Sequence, residues 1–304
     1  MAITLYFAKV NLESEEIYKI YKDSKKKKEL SFALLESLQK ESCWERMLFF
    51  PGEDGNIQAT KIEYQLHTLS VHFPYVEGWV YKKSKLHYNS LNENLNELVS
   101  QSVLNTEAIR FLFDLENELV GYDTKNRFGY KEFLDAFVNI LNIGLAEHEP
   151  KMEFSIHLCS KGIGLDDIKD GLRGIGPIKE LQIKVQPPNP QNKLLEELQE
   201  LGESKLKHMR EANVTRMETV LRSKGDTGLN LNSKLINDEL DKLQGIHANL
   251  PLEEANKNGY LVVAAISNTG RKFSSEEAKP FKRVINCLGD LKDACIDAFS
   301  ELLS

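Results

Sequence analysis

The chain has 304 residues, 41% of them apolar and 28% charged, with a formal net charge of −7. That length supports one large or two ordinary domains with a substantial core, and the composition is that of a folded soluble chain rather than a disordered one. The negative balance excludes a protein that coats DNA or an anionic membrane through diffuse attraction, so any nucleic-acid contact must be a local patch.

Cys43, Cys159, Cys287 and Cys295 are scattered without a CxxC pair or a Cys/His cluster. This points to reduced thiols, with neither a zinc site nor a disulfide framework. The opening MAITLYFAKV has no basic segment leading into a long apolar one, and nowhere do about 18 uninterrupted apolar residues occur. A cytoplasmic protein without membrane insertion is expected, and no motif calls for a metal or cofactor.

Ile3 to Val10 reads as an opening strand, followed by helical spacing in Leu12 to Tyr21 and again in Leu30 to Leu38. Four lysines, Lys25 to Lys28, lie between them. Because the run is short and Glu13, Glu15, Glu16, Asp23 and Glu29 surround it, it reads as a solvated helix end rather than a phosphate site. Arg46 to Tyr81 is β-rich and aromatic, with turn signals at Pro51-Gly52 and Gly55-Asn56. His67 and His72 stand five residues apart, which in a strand sends them to opposite faces and away from joint metal ligation. A polar helix is expected near Leu91 to Val99. Ile109 to Phe113 and Leu119 to Tyr122 then form a hairpin whose acidic tip, Asp114 to Glu118, faces water. The stripe Phe133, Phe137, Ile140 and Leu141 in Phe128 to Ile143 makes a helix that covers this hairpin.

Met152, Phe154, Ile156 and Leu158 alternate with polar residues, as do Leu181, Ile183 and Val185. With a short helix at Leu165 to Leu172 between them, these two strands suggest a βαβ-like unit whose sheet is covered on one side. Lys161 to Gly164 is too short for a dinucleotide fingerprint. Gly171 to Pro177 resembles the hairpin of helix-hairpin-helix modules, but a strand follows it, which favours a plain helix-to-strand turn. Pro187 and Pro188 end the second strand, and Asn189 and Pro190 stand where an N-cap and first helical residue belong. Helical spacing runs from there through Leu201, Met209, Met217 and Leu221, with Arg210, Arg216, Arg222 and Lys224 as surface charge. A shorter helix is expected at Ser233 to Gln244. Gly259 to Ser267 is a nearly continuous apolar run, predicting a strand buried on both faces at the centre of a C-terminal sheet.

In the last segment, Phe281, Val284, Leu288, Leu291, Cys295, Ala298 and Leu302 recur at alternating spacings of three and four. That is the seam of a heptad repeat, and it is the expected homodimer interface. Arg271, Lys272, Lys279, Lys282 and Arg283 beside it form the densest basic patch and the expected nucleic-acid contact. The fold class is therefore α+β, with mixed or antiparallel sheets, helices largely on one face and a long C-terminal helix. The domain division places a β-rich α+β domain at 1–106. A second α+β domain at 107–304 carries a helical insertion near 190–246 and a terminal heptad helix at 275–303.

From about Glu107 onward the order of elements resembles that of the bacteriophage exclusion protein RexA and related phage-defence proteins. The likeness is carried by Phe111-Leu112-Phe113, Val120-Gly121-Tyr122 and Phe133 to Phe137, by the Lys179 to Val185 strand with its Pro187-Pro188-Asn189-Pro190 stop, and by Asn258-Gly259-Tyr260 before a terminal helix. It implies a cytosolic, dimeric, non-enzymatic protein of an abortive-infection system that binds DNA or a phage component and signals to a partner effector. Two alternatives stand beside it. One is a metal-dependent nuclease drawing carboxylates from Asp114, Glu116, Glu118 and Glu153, and the other is a purely structural subunit.

Overall fold

The computed structural model describes residues 2–20, 23, 25–51, 56–92, 97–125, 127–146, 149, 151–189, 205–245 and 250–303. Its architecture is organised by β1 (Ile3–Leu12), which pairs antiparallel with strands from three distant parts of the chain. β6 (Leu119–Tyr122) lies along one edge, with Phe7 opposite Gly121. β12 (Lys282–Ile285) and β7 (Phe154–Leu158) share the other edge end to end, with Tyr6 opposite Lys282 and Ala8 opposite Leu158. Beyond β6 the sheet continues through β5 (Glu97–Asp114), β4 (Tyr75–Asn92), β3 (Ile57–His72) and β2 (Cys43–Pro51), to eight strands in all.

Alternation along β1 gives this sheet two apolar faces. Ala8, Val10 and Leu12 face a core shared with α2 (Lys25–Gln39) and α3 (Tyr130–Ala146). Phe133 stacks on Tyr122 with ring centroids 4.0 Å apart, and Phe137 meets Phe111 and Phe113 edge-on. Truncating Phe137 to alanine here removes a fully buried ring, a loss of about 3–5 kcal/mol. Leu5 and Phe7 face the opposite way, onto the terminal helix α9 (Leu291–Leu303). That helix comes so close to β6 that a Cβ on Gly121 would sit 2.5 Å from Cys295 Sγ, so only glycine fits there.

A second sheet has the order β11-β10-β8-β9 and is wholly antiparallel. Its members are β8 (Ile178–Val185), β9 (Met217–Arg222), β10 (Leu261–Ser267) and β11 (Lys272–Ser274). One face packs on α4 (Leu165–Gly174), α6 (Lys234–Asp241) and α7 (Leu252–Lys257), while α5 (Lys205–Glu211) contributes Met209. α1 (Glu16–Ile20) and α8 (Ser275–Ala278) complete nine α-helices among the described residues. The class is α+β with antiparallel sheets and a C-terminal helix, as the sequence predicts.

Several expectations are corrected. The polar helix near Leu91 to Val99 is instead part of a long β4–β5 hairpin, paired as far as Asn92 opposite Glu97. β7 lies beside β1, not β8, so the βαβ-like unit is divided between two sheets. Met217, Val220 and Leu221 form β9 rather than a helix, and the helix read from Pro190 to Leu201 falls outside the described residues. Asn189 binds β1, accepting from Leu12 N at 3.0 Å and donating to Val10 O at 2.8 Å, and the helix it is expected to cap lies outside the described residues. β10 is interior to its sheet, yet only one of its faces is closed; Ala264 and Ile266 line an open cleft of about 210 Å³. A boundary at residue 106 falls inside β5, and the first sheet takes strands from both ends of the chain. The natural division is nested, with 160–278 inserted between β7 and β12.

Residues 275–303 are not one helix. α8 ends at Ala278, and Lys279 leaves the helical region (φ −139°, ψ 67°), since a following proline disfavours a helical predecessor. β12 follows, then a tight turn at Leu288–Asp290 and finally α9. The three–four spacing is met by a strand and a helix facing one core.

Candidate functional site

The seven residues of the expected seam turn inward. Phe281, Leu291, Cys295, Ala298 and Leu302 are buried with Leu5, Phe7, Leu112 and Leu119, Leu288 packs at the margin, and only Val284 is well exposed. Their apolar stripe is thus covered by the chain's own strands, which accounts for it without a second copy.

The expected basic patch is dispersed and partly neutralised. Arg271 and Lys272 sit at the turn into β11 of the second sheet. Lys279 Nζ lies 2.9 Å from Asp167 Oδ2 and holds that carboxyl below its usual range. Lys282 and Arg283 are neighbours on β12 and so point to opposite faces. Lys282 Nζ stands 4.8 Å over the Tyr6 ring, while Arg283 pairs with Glu301 and lies over Phe281.

The hairpin tip is not solvated as its acidity suggests. Asp114 and Glu118 are buried and Glu116 is exposed. Asp114 Oδ1 accepts from the backbone N–H of Glu116 (3.0 Å) and Asn117 (3.1 Å), and Oδ2 accepts from Asn117 Nδ2 at 2.9 Å. Glu118 pairs at 3.1 Å with Lys9, which is itself fully buried and also donates to Asn117 O. Burial opposes charge on Lys9, but Tyr260 and Glu118 beside it outweigh that and raise its pKa. These carboxylates are therefore employed in fixing the turn.

That rigid turn forms one wall of a cleft of about 480 Å³, lined by Lys27, Lys28, Ser31, Phe32, Phe73, Glu116 and Asn117. α2 forms the other wall. Its buried stripe of Leu30, Leu34 and Leu38 fixes the helix on the core, and Ser31 Oγ binds Leu115 O across the gap at 3.1 Å. Phe32 lies off that stripe, 57% exposed, and stacks on Phe73 from the β3–β4 turn, 52% exposed, with centroids 6.3 Å apart and planes 23° apart. Two large rings thus stand in water beside a lysine run.

The lysines occupy the first turn of α2, which carries no acid. The macrodipole there opposes cations by about 0.3–1 kcal/mol each, so this end of the helix attracts anions. Of the neighbouring acids, Glu13 pairs with Arg216 and Glu16 with Lys19, outside the run, while Glu29 pairs with Lys26 and Asp23 accepts from the backbone N–H of Lys25, within it. Among the described residues Lys27 and Lys28 pair with no carboxylate. The sequence signal for this site was available: an aromatic on the polar face of a helix, four residues after a lysine run.

Other groupings are less promising. Cys43, Glu45 and Glu63 come within 4.8 Å of one another, but Glu45 is bound by Lys61 and Glu63 by Lys83 at 3.0 Å. Asp114, Glu116 and Glu153 form no such group among the described residues. The HhH-like Gly171 to Pro177 is a helix end followed by β8, with Gly176 at φ +90°. Among the described residues no helix is long and apolar enough to cross a membrane.

The fold defines an α+β protein of two antiparallel sheets with an aromatic and basic cleft between α2 and the β3–β4 and β5–β6 turns of the larger. The chain matches the family described as a domain of unknown function (DUF4747) over residues 75–303, and it belongs to that family. No curated protein matches it. The match begins at β4, so Glu116 and Asn117 lie within it, whereas Lys27, Lys28, Phe32 and Phe73 precede it. It also omits β1, on which the first sheet depends.

Proposed function

We propose that this chain is a non-enzymatic interaction protein that binds single-stranded nucleic acid in the α2 cleft and passes that binding to a partner effector. The observation that carries the proposal is the exposed Phe32–Phe73 pair beside Lys27 and Lys28, which pair with no carboxylate among the described residues. Bases stack on such rings irrespective of sequence, and lysines on one side take the phosphates. A duplex hides its base faces, so the cleft favours a single strand. Glu116 on the opposite wall repels phosphate and offers an acceptor to base amino groups, which orients the strand. The binding reading is favoured over a nuclease because both Asp114 oxygens already accept hydrogen bonds from the turn. The antiviral setting rests on the RexA-like order of elements from Glu107 onward.

Fluorescence anisotropy with labelled single-stranded and duplex DNA and RNA oligonucleotides, at several salt concentrations, tests this. The expected result is salt-dependent binding to one or both single strands that Phe32→Ala/Phe73→Ala weakens and Arg271→Gln/Lys272→Gln does not. No binding, or equal binding by the ring-deleted variant, overturns it.

A further inference from the structure

The two edges of the eight-stranded sheet are protected unequally. β12 is four residues long and carries Lys282 and Arg283; short length and charge are the usual guards of an edge. β2 has nine residues, CWERMLFFP, and pairs only with β3 among the described residues. Its charges end at Arg46, its register with β3 shows no bulge, and its proline stands at the last position. Met47, Leu48 and Phe49 are all exposed, Phe49 at 70%.

The sheet also divides here. β3 pairs with β4 only as far as Glu63 opposite Lys83, whereas β2 and β3 stay paired out to Pro51 opposite Ile57, which is 78% exposed. The outer half of the β2–β3 hairpin is therefore a two-stranded ribbon with apolar side chains on both faces. A ribbon of two strands is at best marginally stable in water, and three or more are needed.

We propose that β2 joins two copies of this chain, edge to edge and antiparallel, about a two-fold axis through Met47. The two β2–β3 hairpins then pair through β2, and each outer ribbon lies against the inner half of the other copy's β2, which β3 and β4 back. A second copy is the occupant because an antiparallel strand edge complements its own reverse, which is what an isologous interface requires. In this register Arg46 faces Leu48 of the other copy and Glu45 faces Phe49, so no like charges oppose each other. Nucleic acid is excluded as occupant, since Met47 to Pro51 offers no cation to a phosphate chain. The contact is remote from the interior stripe of Phe281 to Leu302 and independent of the nucleic-acid cleft.

Sedimentation of the full chain through the micromolar range should show a dimer. Leu48→Lys/Phe49→Lys, which alters exposed positions only, should keep the circular dichroism spectrum and raise the dimer dissociation constant by about tenfold or more. With Cys43→Ser and Cys287→Ser removing the exposed thiols, Met47→Cys should cross-link two chains on mild oxidation, and Val284→Cys on the opposite edge should not. A wild-type monomer across the range overturns the proposal. So does a lysine variant that remains dimeric, or cross-linking through Val284→Cys in place of Met47→Cys.

Discussion

The lysines at the start of α2 and the cations between Arg271 and Arg283 are two basic regions of similar size in an acidic chain, and they differ in what the fold does with them. In the C-terminal set Lys279 and Arg283 are paired with carboxylates and Lys282 rests on a tyrosine ring. At α2 Glu29 takes Lys26 while Glu13 and Glu16 are held by cations outside the run, and two bare aromatic rings adjoin Lys27 and Lys28, which pair with no carboxylate among the described residues. Cation density along a sequence therefore measures charge but not availability. What decides availability is whether the third dimension brings a carboxylate to each cation.

The comparison is sharpened first at its extreme, by Lys9, a cation wholly consumed inside the fold. Lys9→Met leaves Glu118 buried and alone and should cost about 3–5 kcal/mol in urea unfolding, with Lys9→Met/Glu118→Leu restoring most of it. Because the folded-state pKa of Lys9 is raised, its contribution is present below the ordinary lysine value. It is lost as pH rises through the folded value, so the penalty of Lys9→Met should shrink in strong alkali. Next, Phe32→Ala/Phe73→Ala should lose about 1–3 kcal/mol of affinity for each base it unstacks, while the melting temperature holds. Third, Lys27→Gln and Lys28→Gln should each flatten the plot of log affinity against log salt by about 0.7 for a single strand, and Lys279→Gln should leave it unchanged. The smallest effect is local: Lys279→Gln should let the Asp167 carboxyl return upward to its usual range in a carbon-13 NMR titration. An unmoved Asp167 would mean that this lysine is as free as those of α2.

Period and punctuation made the local elements legible. The alternation in Ile3 to Val10, the stripe of Phe133 and Phe137, and a helix beginning at Ser233, whose Oγ accepts from Ile236 N at 3.4 Å, were all readable. Pairing partners were not, because a strand's alternation states which face is buried and not which strand lies beside it. β7 therefore went to the wrong neighbour. The heptad reading failed for a related reason: Phe281 and Val284 satisfy a helical period although Val284 lies on β12 and Phe281 just before it, and Pro280 and Gly289 were the local signals against one helix. At the candidate site the lysines were legible, but not their freedom, since Glu13 finds Arg216 some two hundred residues away.

β1 is synthesised well before β12, its partner on the outer edge. During translation β1 can pair with β6 and β7 as soon as about half the chain has emerged, and the inserted sheet can follow. Leu5, Phe7, Leu112 and Leu119 must then stay uncovered until α9 leaves the ribosome, because these are the residues it packs on. A nascent chain stalled before α9 would present both sheets with one greasy face open, suited to capture by a chaperone or to premature association. Docking of α9 is thus the step that seals that face.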